Sequence, residues 1–210
     1  MFVKNRMTVN PVTVEENIPV LEATELMRKY QVHRLPVMHG DRLVGIVTER
    51  DLLKVSPSSA TTLSVYELNY LLSKLKVSEA MAKNPITVTP DTTLEEAALI
   101  MRDREIGGLP VVEDGKLLGI ITETDVFDAF LDLMGLRKTG TRLTIDFEDR
   151  IGVIAEITEV IKQFGVNIIS MAFHANGAAE VVLRLDLKEP DALVKALQDK
   201  GYKIVHVATW

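Results

Sequence analysis

The 210-residue chain contains no cysteine, which removes disulfides, thiolate metal sites and cysteine nucleophiles together. It has a single tryptophan, Trp210, which with the eight methionines reads as packing rather than recognition. Long apolar runs are missing: Leu109–Val112 and Leu117–Ile121 are short and punctuated, so no transmembrane helix is expected. Met1-Phe2-Val3-Lys4-Asn5-Arg6 leads into the body of the chain without an apolar signal segment, and a cytoplasmic protein is expected. A basic excess is absent too. The net charge of −6 disfavours a broad nucleic-acid footprint but leaves room for a small phosphate pocket. The four histidines show no metal-ligand spacing, and no His-Glu-x-x-His, Gly-x-Ser-x-Gly, Walker-type or Gly-x-Gly-x-x-Gly pattern occurs. Acid pairs such as Glu95-Glu96 fall in the first turn of a predicted helix, where the dipole accounts for them. With no nucleophile or oriented acid–base pair, no catalytic residue and no metal site is assigned.

What is present is a duplication. Met7–Lys54 aligns without a gap onto Met81–Asp128 at an offset of 74, and about 18 of 48 positions are identical, more than shared strand or helix composition gives. Asn10-Pro11-Val12-Thr13-Val14 returns as Asn84-Pro85-Ile86-Thr87-Val88, and Leu35-Pro36-Val37 as Leu109-Pro110-Val111. Gly45-Ile46-Val47-Thr48-Glu49-Arg50-Asp51 returns as Gly119-Ile120-Ile121-Thr122-Glu123-Thr124-Asp125. Two related halves facing each other, with two similar sites, point to binding rather than catalysis.

Each copy reads β-α-β-β-α. Pro11–Val14 and Pro85–Val88 are short extended segments. Pro19 occupies the first helical position, and Asp91-Thr92-Thr93 offer cap oxygens in the second copy. Val20, Ala23, Leu26, Met27 and Tyr30 share one helical face, as do Leu94, Ala97, Ala98 and Met101. Asp114-Gly115 is a hairpin-turn dipeptide. Ser56–Thr62 is a loop by composition, and Ser64-Val65-Tyr66-Glu67 reads as a capping box opening a helix through about Leu75. The last 70 residues are a different unit, β-α-β-β-α-β, fitting a split-βαβ sandwich. Its first helix runs Ile151–Phe164 with Ile154, Ile157, Ile161 and Phe164 inward and Gly165 as its stop, and Asn176-Gly177 is a second hairpin signal.

The sharpest chemical signature is Gly-φ-φ-Thr-x-x-Asp, φ being apolar. A strand end delivered to a helix start places Thr48 and Asp51, or Thr122 and Asp125, beside free backbone N–H groups. There a Thr hydroxyl can bond phosphate and a carboxylate can accept from a ribose hydroxyl. A plain capping role for the same residues stands beside that reading.

The two repeats resemble CBS domains, and the pair a Bateman module, on the Met-x-x-Asn-Pro-φ-Thr-Val start, the Leu-Pro-Val strand and the Gly-φ-φ-Thr-x-x-Asp close. The resemblance implies a pseudo-twofold disc with two clefts for adenosine-containing ligands such as AMP, ATP or S-adenosylmethionine. It nominates Thr48 with Asp51 and Thr122 with Asp125 for phosphate and ribose, and Val12, Thr13, Ile86 and Thr87 for the base. His33-Arg34, where the other copy has Gly107-Gly108, add a cationic pair suited to phosphate, and Arg50 against Thr124 tilts the same way. Arg34 pairing with a surface carboxylate is the plainer alternative. The clefts are expected to differ in affinity.

Asp149-Arg150-Ile151-Gly152-Val153-Ile154-Ala155-Glu156-Ile157 with Phe164-Gly165-Val166-Asn167-Ile168 resembles the ACT domain. That implies edge-to-edge pairing and an amino-acid effector held at the interface by Asp149, Ile151 and Gly152, with Asn167 and Ile168 across from them; a dimerisation module without a ligand is the alternative for this unit. At Gly152 a missing Cβ would let a ligand approach the helix N-terminus. The order CBS-CBS-ACT is similar to AcuB-like regulatory proteins associated with acetoin utilisation.

The expected organisation is α/β (α+β): CBS domain 1 over 1–55, a linker with a helix over 56–76, CBS domain 2 over 77–134, a linker over 135–140, and a ferredoxin-like ACT domain over 141–210. The expected function is non-catalytic regulation through adenosine ligands, with no cofactor, no nucleic acid and no membrane. A homodimer or tetramer and an unidentified partner protein complete the expectation. A structural or adaptor subunit with vestigial clefts is the alternative.

Overall fold

The computed structural model describes residues 1–55, 64–176 and 178–210. The Ser56–Thr62 loop and Gly177 of the second hairpin lie outside the described residues. The chain divides into two compact units, Met1–Val126 and Phe127–Trp210.

In the first unit each copy builds the same small layer of helices on a sheet. Copy 1 comprises β1 (Thr8–Val9), β2 (Val14–Glu15), α1 (Val20–Tyr30), β3 (Arg34–His39), β4 (Arg42–Thr48) and α2 (Glu49–Val55). After α3 (Val65–Lys74) and α4 (Val77–Ala80), copy 2 comprises β5 (Ala82–Lys83), α5 (Leu94–Arg104), β6 (Gly108–Glu113), β7 (Lys116–Thr122) and the start of α6 (Glu123–Leu133), which runs past Val126. Pro11–Thr13 are not strand, and Pro19 is the N-cap of α1 rather than its first residue, holding extended backbone with ψ 145°. In copy 2 the cap is a reciprocal box: Thr93 Oγ1 accepts from Glu96 N at 3.2 Å, and Thr93 N donates to Glu96 Oε2 at 3.1 Å. Ser64 and Glu67 form the same box at α3. Asp114 and Gly115 both take positive φ, as a two-residue hairpin turn requires.

The apolar period places Val20, Ala23 and Met27 of α1 against Leu35, Val37 and Val47 of the hairpin, all buried. Tyr30 does not join them. At the last helical position it is exposed, because the chain turns away at Gln31 in the left-handed region.

The sheets are completed by exchange. β5 pairs antiparallel with β4, Gly45 opposite Lys83, and β1 pairs with β7, Val9 opposite Gly119. The segments before these strands exchange as well: Val3 N donates to Thr92 O at 2.9 Å, and Val77 N to Ile18 O at 3.0 Å. Val77 is fully buried within the copy 1 core. Neither copy therefore satisfies its own sheet edge or core without the start of the other.

The glycine of each signature permits this. A Cβ on Gly119 would lie 2.8 Å from Thr8 O and from Met7 Sδ, and one on Gly45 would overlap Met81 Sδ and stand 3.0 Å from Ala82 O. The paired asparagines then redirect the chain. Asn10 and Asn84 take φ 50°, a conformation asparagine tolerates better than most residues, and their N–H groups bond Leu118 O and Val44 O at 3.1 Å.

The second unit contains β8 (Thr141–Phe147), α7 (Val153–Gln163), β9 (Ile168–Asn176), β10 (Ala178–Leu185), α8 (Asp191–Asp199) and β11 (Lys203–Thr209). Its antiparallel sheet runs β11-β8-β10-β9, the ferredoxin-like order. Leu143, Ile145, Val181, Leu183 and Leu185 face Val153, Ile157, Val160 and Ile161 of α7 and Leu193 and Leu197 of α8. α7 starts two residues later than its apolar pattern suggests. Ile151 is wholly exposed ahead of it, and Phe164, past its last turn, is 42% exposed rather than inward. Arg184 is buried, stacked 3.9 Å from the Trp210 ring centroid and donating to Gly135 O at 3.2 Å.

Candidate ligand clefts

Because β5 crosses onto copy 1, the Asn84-Pro85-Ile86 turn of copy 2 faces the end of β4 and the start of α2. Between them lies a cavity of about 680 Å³, in the range that holds small-molecule ligands. Of the residues nominated from sequence, His33, Arg34, Thr48, Asp51 and Ile86 line it. Thr87 is exposed and does not line it. Val12 packs partly against the copy 1 core, and Thr13 is exposed. Thr122 and Asp125 occupy the pseudo-symmetric position, where β1 crosses onto β7.

Both Thr–Asp pairs are closed on themselves. Thr48 Oγ1 donates to Asp51 Oδ2 at 2.6 Å, and Asp51 N donates back to Thr48 Oγ1 at 3.3 Å. Thr122 and Asp125 repeat this at 2.6 and 3.4 Å. Each threonine is thus an N-cap whose hydroxyl proton is already given to the aspartate. A phosphate would have to take that proton over. Asp51 Oδ1 has Lys54 Nζ at 3.4 Å and is the oxygen left for a ligand hydroxyl.

Arg34 behaves differently from its neighbours. Its guanidinium lies over Gly107 and Gly108, where a Cβ on Gly107 would stand 2.8 Å from Nη2 and one on Gly108 would overlap Nη1. The Glu123 carboxylate comes within 2.9 Å of the same Gly107 position. Burial lowers the Arg34 pKa from its ordinary value, while Glu123 and Asp125 hold the charge in place. The His33-Arg34 and Gly107-Gly108 difference is therefore complementary: one copy supplies a side chain and the other the space for it. His33 Nδ1 meets Glu49 Oε2 at 3.0 Å.

Sequence reasoning did not nominate Lys54, Lys83, Asn84, Pro85, Glu105 or Glu123, all of which line the cavity, and Arg50 entered only as a difference between copies. The 74-residue offset marked their copies as related. Only the strand exchange brings Lys83, Asn84 and Pro85 to the opposite copy's helix α2.

In the second unit the nominated effector residues separate. Ile168 pairs with Leu185, which pairs with Thr141, whereas the Asp149–Gly152 loop follows Phe147 at the other end of β8. Within one chain Asn167 and Ile168 are not across from that loop, because βαβ connectivity starts both strands at the same end of the sheet. Gly152 has φ 89° and open space around a Cβ, so its conformation accounts for the glycine. The loop is tied by Arg150, which donates to both Glu156 oxygens at 2.7 and 2.5 Å. With a further bond from Tyr202 Oη at 2.8 Å, this pulls the Glu156 carboxyl down to about 2. A hollow beside Glu156, Lys200 and Tyr202 is lined by none of the nominated residues. Among the described residues, no cluster of three metal-ligating side chains occurs.

Two strand-exchanged repeats that share a cleft, together with a separate ferredoxin-like unit, define a regulatory module. The CBS domain family matches residues 3–58 and 77–132, and the ACT domain family residues 138–200; the chain belongs to the CBS domain family and carries a C-terminal ACT domain. Inosine-5'-monophosphate dehydrogenase of Korarchaeum cryptofilum is 38% identical over 148 residues, 70% of this chain but 26% of the enzyme. The chain thus spans about a quarter of that relative. Among solved structures, the acetoin utilization protein AcuB of Vibrio cholerae is 30% identical with a TM-score of 0.55, covering 65% of this chain and 95% of AcuB. The CBS domain pair of MJ0100, in complex with 5'-methylthioadenosine and S-adenosyl-L-methionine, is 28% identical with a TM-score of 0.52, covering 66% and 98%. CBSX2 in complex with AMP is 34% identical with a TM-score of 0.53, covering 62% and 96%. No helix among the described residues is long and apolar enough to cross a membrane.

Proposed function

We propose that this protein is a non-catalytic, cytoplasmic regulatory sensor of adenosine-containing ligands, with AMP, ATP and S-adenosylmethionine as the candidates. The observation that carries the reading is the cavity itself, which gathers His33, Arg34, Thr48 and Asp51 from one copy and Ile86 from the other. Its ribose contact is Asp51 Oδ1, its base wall Ile86, and its phosphate end the cationic side near Arg34. The Thr122–Asp125 cleft is its counterpart, with Val12 and Thr13 on the segment that follows β1. The ligand-bound CBS pairs of MJ0100 and CBSX2 support the same assignment.

The ACT unit, over 141–210, pairs two chains. Since Asp149–Gly152 and Asn167–Ile168 lie at opposite ends of one sheet, an amino-acid effector touching both would bridge two copies. Ligand-dependent repacking then biases a bound partner protein, to the extent that the ligand prefers one arrangement. The closed Thr–Asp caps favour one other reading, an adaptor whose clefts are vestigial.

Calorimetric titration with AMP, ATP and S-adenosylmethionine tests the choice, on protein shown free of copurified nucleotide and on Asp51→Ala and Asp125→Ala. Micromolar binding lost in either variant is the expected result. Silence with all three ligands would leave the adaptor.

A further inference from the structure

The two clefts share a plan but not a charge. At the Thr48–Asp51 cleft, Arg50 and Lys83 project from opposite copies and line one cavity. Both are exposed, and neither has an ion-pair partner among the described residues. The other charges there are largely engaged: Glu49 with His33 at 3.0 Å, Asp51 with Lys54 at 3.4 Å, and Glu123 beside Arg34, leaving Glu105 as the uncompensated acid. At an offset of 74 residues, Arg50 corresponds to Thr124 and Lys83 to Val9, so neither cation has a counterpart in the other copy. Arg34 lines the first cavity as well, over Gly107 and Gly108, in the field of both Glu123 and Asp125.

We infer that the clefts sort adenosine ligands by charge. The Thr48–Asp51 cleft takes the phosphate-bearing nucleotide, and the Thr122–Asp125 cleft takes an uncharged or sulfonium-bearing adenosine derivative. This rests on the nucleotide-sensor reading and adds which ligand class goes where. The physical reason is that a phosphate entering the first cleft meets two cations with no competing partner. At the Thr122–Asp125 cleft the corresponding positions are Thr124 and Val9, so a phosphate meets the Asp125 carboxylate without either cation. A thioether nucleoside loses nothing there, and a sulfonium gains from the acid.

The test titrates AMP and 5'-methylthioadenosine, separately and one into protein saturated with the other. The proteins are wild type, Arg50→Ala with Lys83→Ala, and Asp125→Ala. The two ligands should bind together. The double variant should weaken AMP roughly tenfold, since two exposed ion pairs are lost, and leave 5'-methylthioadenosine unchanged. Asp125→Ala should weaken 5'-methylthioadenosine alone. On the wild type, raising salt should weaken AMP and spare 5'-methylthioadenosine, a readout independent of any variant's folding. Mutual displacement, AMP unaffected by the double variant, or AMP lost in Asp125→Ala would overturn the sorting while leaving a nucleotide sensor. Failure of both ligands to bind wild type would instead remove the sensor reading itself.

Discussion

Gly119→Ala tests the strand exchange directly. Gly119 sits in β7 opposite Val9, and its missing Cβ is the space through which β1 crosses. An alanine methyl would stand 2.8 Å from Thr8 O, about 0.6 Å inside ordinary contact, and 2.8 Å from Met7 Sδ. The methionine can swing aside, but the carbonyl oxygen is backbone and moves only if the two-residue strand shifts. Overpacking of this kind costs about 1–3 kcal/mol. The alanine returns roughly 0.5–1 kcal/mol by restricting the unfolded chain, since Gly119 is not at positive φ. The net expectation is a loss of about 1–2 kcal/mol, or roughly 3–10 °C in melting temperature for a unit of this size. Urea unfolding at unchanged m-value, with a thermal melt, measures it. Gly45→Ala should behave alike through Ala82 O. Gly119→Ala as stable as wild type would refute the crossing and with it the two-copy construction of the clefts.

Two further outcomes can be checked on the same material. Thr93→Ala removes the reciprocal cap of α5 and should cost about 0.5–2 kcal/mol in chemical unfolding, whereas Thr93→Ser should cost little. Glu156, drawn down to about 2 by Arg150 and then by Tyr202, contributes stability that is fully present above its ordinary value near 4.5 and is lost as pH falls towards 2. Melting temperature should therefore drop over that window in wild type and drop less in Glu156→Gln; parallel acid limbs would contradict the assignment.

Several features were readable from the chain alone because each depends on residues within one turn of one another. The cap oxygens at Asp91-Thr92-Thr93, the Ser64–Glu67 box and the Asp114-Gly115 turn are of this kind, whereas the duplication and the βαββαβ order of the last unit are read from repetition and periodicity along the chain. The boundaries slipped where local pattern and chain direction part: Tyr30 and Phe164 continue an apolar period past the point where their helices release the backbone. The signature glycines, Gly45 and Gly119, were visible as letters but not as crossing points.

The residues by themselves determined that there are two alike binding halves and a separate small sandwich, since periodicity and repetition are properties of order along the chain. Tertiary structure alone decided which half completes which sheet, and that Arg34 lies on the glycines of the other copy. It also decided that Lys83 joins Arg50, and that Asn167 lies at the far end of the sheet from Asp149. Those facts rest on hydrogen bonds and close approaches between segments dozens of residues apart, such as Val9 against Gly119 and Lys83 against Gly45. Such pairings impose no period on the sequence, only a missing side chain where two backbones meet.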